Sequence, residues 1–419
     1  MRSLAQAKYD LNAIIEFLAP LIIFGLSFYL FPWYVTLLLY LLILFSTRAD
    51  FLLSVYTALT FYNVMLLEQI PFWASLITSF GGLLIILVRF SVIKSSFPRL
   101  LLIPMMLIVL FTLSFIFRSR GEYFFLTGLK SSLQLIFLLS VIIVFTLLPD
   151  RIIAYSKKQF DRNIAVFIVF YLVTALLFHD YSDRFGAATG PQCLALQMSL
   201  LLCYCCSDND DNRPFQFLLL LGVFLTGSRT YFIIASMILV YDYVRRSSLK
   251  VKLIVLVNAF LLACLLLFLL PLTNSRFDYT SGTFWGTLMG RVKFYQSGWE
   301  LFLKHPFLGN GMGSMLIVLE TWGHRPGYEL YKSRGDTTIV HNEYLRILIE
   351  TGLLGLSLII YGVTRLWQHI RTPAAKYMLL VFLLGSLVEN TLSLYTTGAL
   401  LLLILMFFSI KADKYTLMN

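Results

Sequence analysis

Apolar residues along this chain gather in long runs separated by short polar clusters, beginning with Ile14–Leu30 and ending with Ala399–Phe408. Few runs alternate in the two-residue rhythm of a half-buried strand, so the pattern predicts helices throughout. A membrane-crossing helix needs about 20 apolar residues. Counting the runs, with the shorter ones borrowing flanking residues or re-entering, gives 12–14 candidate spans and an all-α, polytopic membrane fold. The first run follows Met1–Asn12 and leads into further spans with no small-residue cleavage site, which predicts a first transmembrane helix.

Composition agrees with the pattern. The chain of 419 residues is 59% hydrophobic and 13% charged, with a mean hydropathy of +0.81. A soluble domain carries about 25% charged residues. The net charge of +11 does not indicate nucleic acid, because the basic residues stand in clusters between apolar runs. Cys193, Cys203, Cys205, Cys206 and Cys264 all lie in apolar runs, where they read as small packing residues.

Those basic clusters orient the chain. With the N-terminus in the cytoplasm and alternating sides, 20 of the 33 Lys and Arg fall in cytoplasmic segments and 5 in short outer loops. The positive-inside rule then predicts both termini in the cytoplasm. Three divisions follow: a transmembrane bundle over 1–270, a long outer loop over 271–344, and C-terminal transmembrane helices over 345–419. A loop of that length is expected to be an ordered functional element.

Within the loop, Val292–Lys304 has helical periodicity. Val292, Tyr295, Trp299, Phe302 and Leu303 share one arc, opposite Lys293, Gln296, Ser297, Glu300 and Lys304. This predicts either a helix lying on the membrane surface or one packed on the protein's own spans.

The candidate chemistry gathers on the outer face. Arg229 interrupts two apolar runs in Gly227-Ser228-Arg229-Thr230, Arg184 precedes Gly190-Pro191 and a span, and Arg291 follows Gly290. An arginine at membrane depth is costly unless an anion or a water-filled cavity receives it, and its planar fork suits phosphate. The alternative is that each arginine snorkels to lipid headgroups. His341, in His341-Asn342, opens the next span on that face, and histidine is suited to moving a proton near neutral pH. Its alternative role is a structural hydrogen bond. Arg346 and Glu350, four apart, are spaced to pair on the helix below it. His305-Pro306-Phe307-Leu308-Gly309-Asn310-Gly311-Met312-Gly313 predicts a compact, sharply turned backbone that shapes the site.

Taken in order, these pieces resemble the O-antigen ligase and O-antigen polymerase superfamily. The set runs from Arg184 through Gly227–Thr230, Gly290-Arg291 and His305–Gly313 to His341-Asn342-x9-Gly352-x-x-Gly355, and covers roughly 180–360. The resemblance implies a C-type membrane glycosyltransferase fold in the bacterial inner membrane with a periplasmic active site. Its donor would be a glycan on undecaprenyl pyrophosphate. It implies no cofactor, divalent metal or nucleotide sugar; the first outer loop, Phe31-Pro32, has no acid to hold a metal. Arg184, Arg229 and Arg291 would bind the donor pyrophosphate. His341 would act on the acceptor hydroxyl, with Arg229 and Arg291 stabilising the leaving group. The spacing after His341 is that of ligases, which implies transfer to lipid A–core. The alternative is a polymerase joining lipid-linked repeats, and the alternative of another class is a lipid-linked glycan flippase. Besides donor, acceptor and membrane lipids, the resemblance admits a chain-length regulator as a partner.

Overall fold

A computed structural model describes residues 4–30, 32–48, 51–65, 72–90, 102–118, 122–177, 191–206, 213–246, 248, 282–314, 342–388 and 401–408. Among the described residues the secondary structure is entirely helical. The helices are α1 (Leu4–Leu30), α2 (Trp33–Ser46), α3 (Leu52–Met65), α4 (Phe72–Phe90), α5 (Leu102–Arg118), α6 (Glu122–Leu147) and α7 (Asp150–Leu177). They continue with α8 (Pro191–Cys205), α9 (Arg213–Leu225), α10 (Arg229–Arg246), α11 (Gly282–Lys304), α12 (Glu343–His369) and α13 (Pro373–Gly385). A final helix, α14, occupies 401–408. The predicted apolar run Leu253–Leu270 lies outside the described residues.

Two of these helices, over Asp150–Leu176 and Glu343–His369, are long and apolar enough to cross a membrane. Shorter apolar helices include Gln192–Cys205, Pro214–Leu225 and Pro373–Gly385. Large apolar side chains also stand on the outside of several helices, among them Leu30, Val88, Ile116, Phe217 and Met237. Apolar surface of this extent suits a lipid surround.

The core runs through the bundle. α8 is its centre, packed against α9, α10 and α13, with nearly every side chain from Cys193 to Cys206 buried. Cys193, Cys203, Cys205 and Cys206 are buried free thiols, as their place in apolar runs predicts. Elsewhere α1, α2 and α3 pack together, α2 on α4, and α3 on α7. α12 lies on α5 and α11 on α12.

Local chemistry sets the ends that matter for the site. α9 and α10 are joined by three residues, with Gly227 at φ 64° and the Ser228 N–H donated to Thr226 Oγ1 at 3.2 Å. Phe232 then donates to the Ser228 carbonyl, which makes Arg229 the first residue of α10. α12 is opened by Asn342, whose side chain accepts the Leu345 N–H at 3.0 Å. Glu343 in the first turn adds a charge that suits the helix N-terminus.

Candidate functional site

The Gly352 position decides the shape of α12. It has φ 67° and ψ −166°, a conformation open essentially to glycine alone, so the helix is kinked there. A kink at this point breaks the helical bonds from Leu353 to Ile349 and from Leu354 to Glu350. The His305–Gly313 loop replaces both. Leu353 and Leu354 donate to the carbonyls of Pro306 and Phe307 at 2.8 and 3.2 Å. In return Asn310 and Gly311 donate to the carbonyls of Ile349 and Glu350 at 2.8 and 3.1 Å. Two lost bonds become four, so the backbone groups freed by the kink are paired.

Gly309, Gly311 and Gly313 have φ of 72°, 104° and 81°, which is the turned backbone the sequence predicts. Between the last two, Met312 is buried in a cluster with Leu107 and Phe111 of α5 and Leu135 and Leu139 of α6. The loop is thus wedged between α12 and the α5–α6 pair. Asn310 secures its start, donating from Nδ2 to the carbonyls of Leu301 and Ile349.

The predicted pair of Arg346 and Glu350 is present, with Nη1 to Oε2 at 3.1 Å. Sequence reasoning missed the third member. Glu343 Oε1 accepts from Arg346 Nε at 2.7 Å, and the spacing Glu343-x2-Arg346-x3-Glu350 on one helical face was the signal for it. Glu350 also accepts the Gly313 N–H at 3.1 Å. All three charged side chains are at most 2% exposed.

α11 corrects one expectation. The helix spans Gly282–Lys304, and its buried face is Phe294, Ser297, Gly298, Leu301 and Phe302. Ser297 therefore packs inward, while Val292, Trp299 and Leu303 of the predicted apolar arc are exposed. Gly298 causes the rotation: a Cβ there would meet Leu345 and Ile349 side chains at 3.1 Å, so the smallest residue faces α12. The helix therefore packs on α12 through a face that keeps Phe302 of the arc inward and turns Val292, Trp299 and Leu303 outward.

The two helices run in the same direction. Gly298 meets Leu345 and Ile349, Leu301 and Phe302 cluster with Ile349, and the following loop reaches Leu353 and Leu354. Tyr295 and Leu345 flank that cluster, so the turn carrying partly buried Arg291, four residues before Tyr295, lies toward the α12 N-terminus.

Arg229 reaches the same end of the bundle by another route. Two residues beyond it, the Tyr231 ring packs on Gly385, where a Cβ would stand 2.8 Å from the ring. The neighbouring Ser386 carbonyl accepts the Glu343 N–H at 2.9 Å. The start of α10, the end of α13 and the start of α12 are thereby joined. At the opposite end, Tyr377 of α13 donates to Asp242 of α10 at 3.1 Å, as antiparallel neighbours require. Predicted site residues Arg184 and His341 lie outside the described residues. Arg229 and Arg291 are brought to one end, and His341 immediately precedes the Asn342 cap in sequence.

Residues 215–360 match the family model described as O-antigen ligase. This segment belongs to the O-antigen ligase and polymerase superfamily. No curated protein matches the chain. The matched segment runs from α9 to Ile360 within α12, and so holds Arg229, Arg291, the His305–Gly313 loop, His341 and the Glu343–Arg346–Glu350 set. Arg184 lies upstream of it. Proteins of this family are membrane proteins with ligase- or polymerase-like function on lipid-linked glycans.

Beside the segment, an apolar gap of ≈ 210 Å³ lies between α5, α6, α12, α13 and α14. Its walls are leucine, isoleucine, valine and phenylalanine, with Glu343, Tyr344 and Ser386 at one end and Arg365 toward the other. At 1.5 Å per helical residue, Glu343 and Arg365 stand roughly 30 Å apart. Among the described residues, no three His, Cys, Asp or Glu group as metal ligands do.

Proposed function

We propose that this protein is a polytopic inner-membrane glycosyltransferase. It transfers a glycan from undecaprenyl pyrophosphate to a sugar hydroxyl of lipid A–core, on the periplasmic face and without a metal. The observation that carries the reading is the meeting, at one end of the bundle and within the matched segment, of the α10 start with Arg229, the α11 turn with Arg291, and the α12 start that follows His341.

The chemistry follows from that meeting. The acceptor oxygen attacks the anomeric carbon, the bond to the pyrophosphate oxygen breaks, and the centre inverts. Arg229 and Arg291, with Arg184, hold the pyrophosphate and offset the charge it gains as it leaves. His341 takes the acceptor proton. The apolar gap, whose polar end is Glu343, Tyr344 and Ser386, supports a long-chain lipid carrier with its headgroup at the same end.

The test uses purified protein, undecaprenyl-pyrophosphate-linked O-antigen and chelator, with lipid A–core or a second lipid-linked repeat in separate reactions. A shifted lipid A–core band is expected. A ladder from lipid-linked repeats alone would make the protein a polymerase. Passage of the lipid-linked glycan across vesicles without transfer would make it a flippase.

A further inference from the structure

We propose that Arg346 is a positioning residue. With Glu343 and Glu350 it forms a buried ionic chain that holds the elements carrying Arg229, Arg291 and His341 in register. The proposal rests on the transfer reading above.

The chain is continuous. It starts at the loop, where the Gly313 N–H meets Glu350 Oε1 at 3.1 Å. Glu350 Oε2 meets Arg346 Nη1 at 3.1 Å, and Arg346 Nε meets Glu343 Oε1 at 2.7 Å. The Glu343 N–H then meets the Ser386 carbonyl at 2.9 Å, beside the Gly385 that seats Tyr231. One end is fixed to the loop that follows α11, the middle is the first two turns of α12, and the other end abuts the first turn of α10. Each of these elements carries one of the three proposed catalytic residues or leads directly from it.

Stability alone does not call for this arrangement. Burying two carboxylates and a guanidinium carries a desolvation cost that apolar side chains of similar volume avoid, often with equal or better stability. What apolar packing lacks is direction. A guanidinium is a rigid planar fork, and here two of its nitrogens fix carboxylates on different turns, so the loop and the helix start are held at set angles. Transfer chemistry needs such fixing, since an error near 1 Å in the placement of reacting groups costs about 10²-fold.

The experiment compares the full-length wild type with the neutral variant Glu343→Gln/Arg346→Met/Glu350→Gln in nanodiscs, assaying transfer from undecaprenyl-pyrophosphate-linked O-antigen. The neutral variant is expected to melt close to wild type and to lose roughly 10²-fold in kcat, with the donor KM within about threefold. Arg346→Lys, which keeps the charge but not the fork, falls between them. A second readout needs no activity: spin labels at Gln296 of α11 and Leu354 of α12, both exposed, should give a narrow distance distribution in the wild type and a broad one in the neutral variant. Retained kcat with an unchanged distribution overturns the proposal. A wild type without transfer, whose distribution still broadens on neutralisation, sinks the transfer reading and leaves the alignment role standing. Should the triple variant not fold, Glu350→Gln alone is expected to lower kcat about tenfold at constant donor KM, and an unchanged kcat there overturns the proposal.

Discussion

Leu353 donates its backbone N–H to the carbonyl oxygen of Pro306 at 2.8 Å, a bond that in an uninterrupted helix would run to Ile349. Helix and loop are spliced at this point, and the splice is possible only because Gly352 takes a backbone conformation closed to other residues. A Cβ at Gly352 would lie 2.6 Å from the Gly309 nitrogen, and one at Gly309 would lie 2.5 Å from the Thr351 nitrogen.

Gly352→Ala should therefore destabilise the protein by at least about 1–3 kcal/mol from backbone strain alone. Displacement of the loop adds to that. Thermal melting in detergent checks it, and the neighbouring Leu353→Ala, at an exposed side chain, serves as the near-neutral control.

Arg346→Ala leaves Glu343 and Glu350 buried without their shared cation, as they are 2% exposed each. A loss of about 3–5 kcal/mol is expected. Adding Glu343→Gln and Glu350→Gln should recover most of the loss. Equal melting of Arg346→Ala and the triple variant would show that the charges are not what destabilises.

Gly385→Leu would drive a side chain into the Tyr231 ring, whose atoms stand 2.8 Å from the first added carbon. Overpacking of this kind costs about 1–3 kcal/mol. Because Tyr231 lies two residues from Arg229 in the first turn of α10, transfer should fall as well, and Tyr231→Ala in the same chain should restore stability. A double-mutant cycle with no coupling would separate the two residues.

For the proposed chemistry, Arg229→Ala and Arg291→Ala should each lower kcat by roughly 10²–10³-fold, as removal of a group that stabilises leaving charge does. His341→Ala should lower it by about 10²–10⁴-fold. All three variants should melt close to wild type. Undiminished transfer in His341→Ala would remove the proton acceptor from the scheme and leave the pyrophosphate site intact.

Filling the apolar gap gives an independent test. Ile347 lines it one turn from Glu343, so Ile347→Trp should raise the donor KM while a short-chain donor analogue is less affected. Equal effects on both donors would exclude a lipid chain from this gap.

The sequence by itself determined the helical class, the burial of four cysteines, the turned loop at His305–Gly313 and the Arg346–Glu350 pair. Each is a local property, set by hydrophobic period, by glycine spacing or by a separation of four on one helix. It also marked Arg229 and Arg291 as outliers in apolar surroundings, though not what would bring them together. Tertiary structure decided three things. α11 turns Ser297 and Gly298 inward, because close approach to Leu345 and Ile349 favours the smallest residues over the most apolar ones. Glu343 is drawn into the ion chain, because burial by α13 leaves its carboxylate Arg346 as a cation within reach. The loop joins α12 at Gly352, because a broken helix must find hydrogen-bond partners and those partners lie 39 to 47 residues away in sequence. Pairings between distant segments leave no periodic trace in either one, so only the folded chain reveals them.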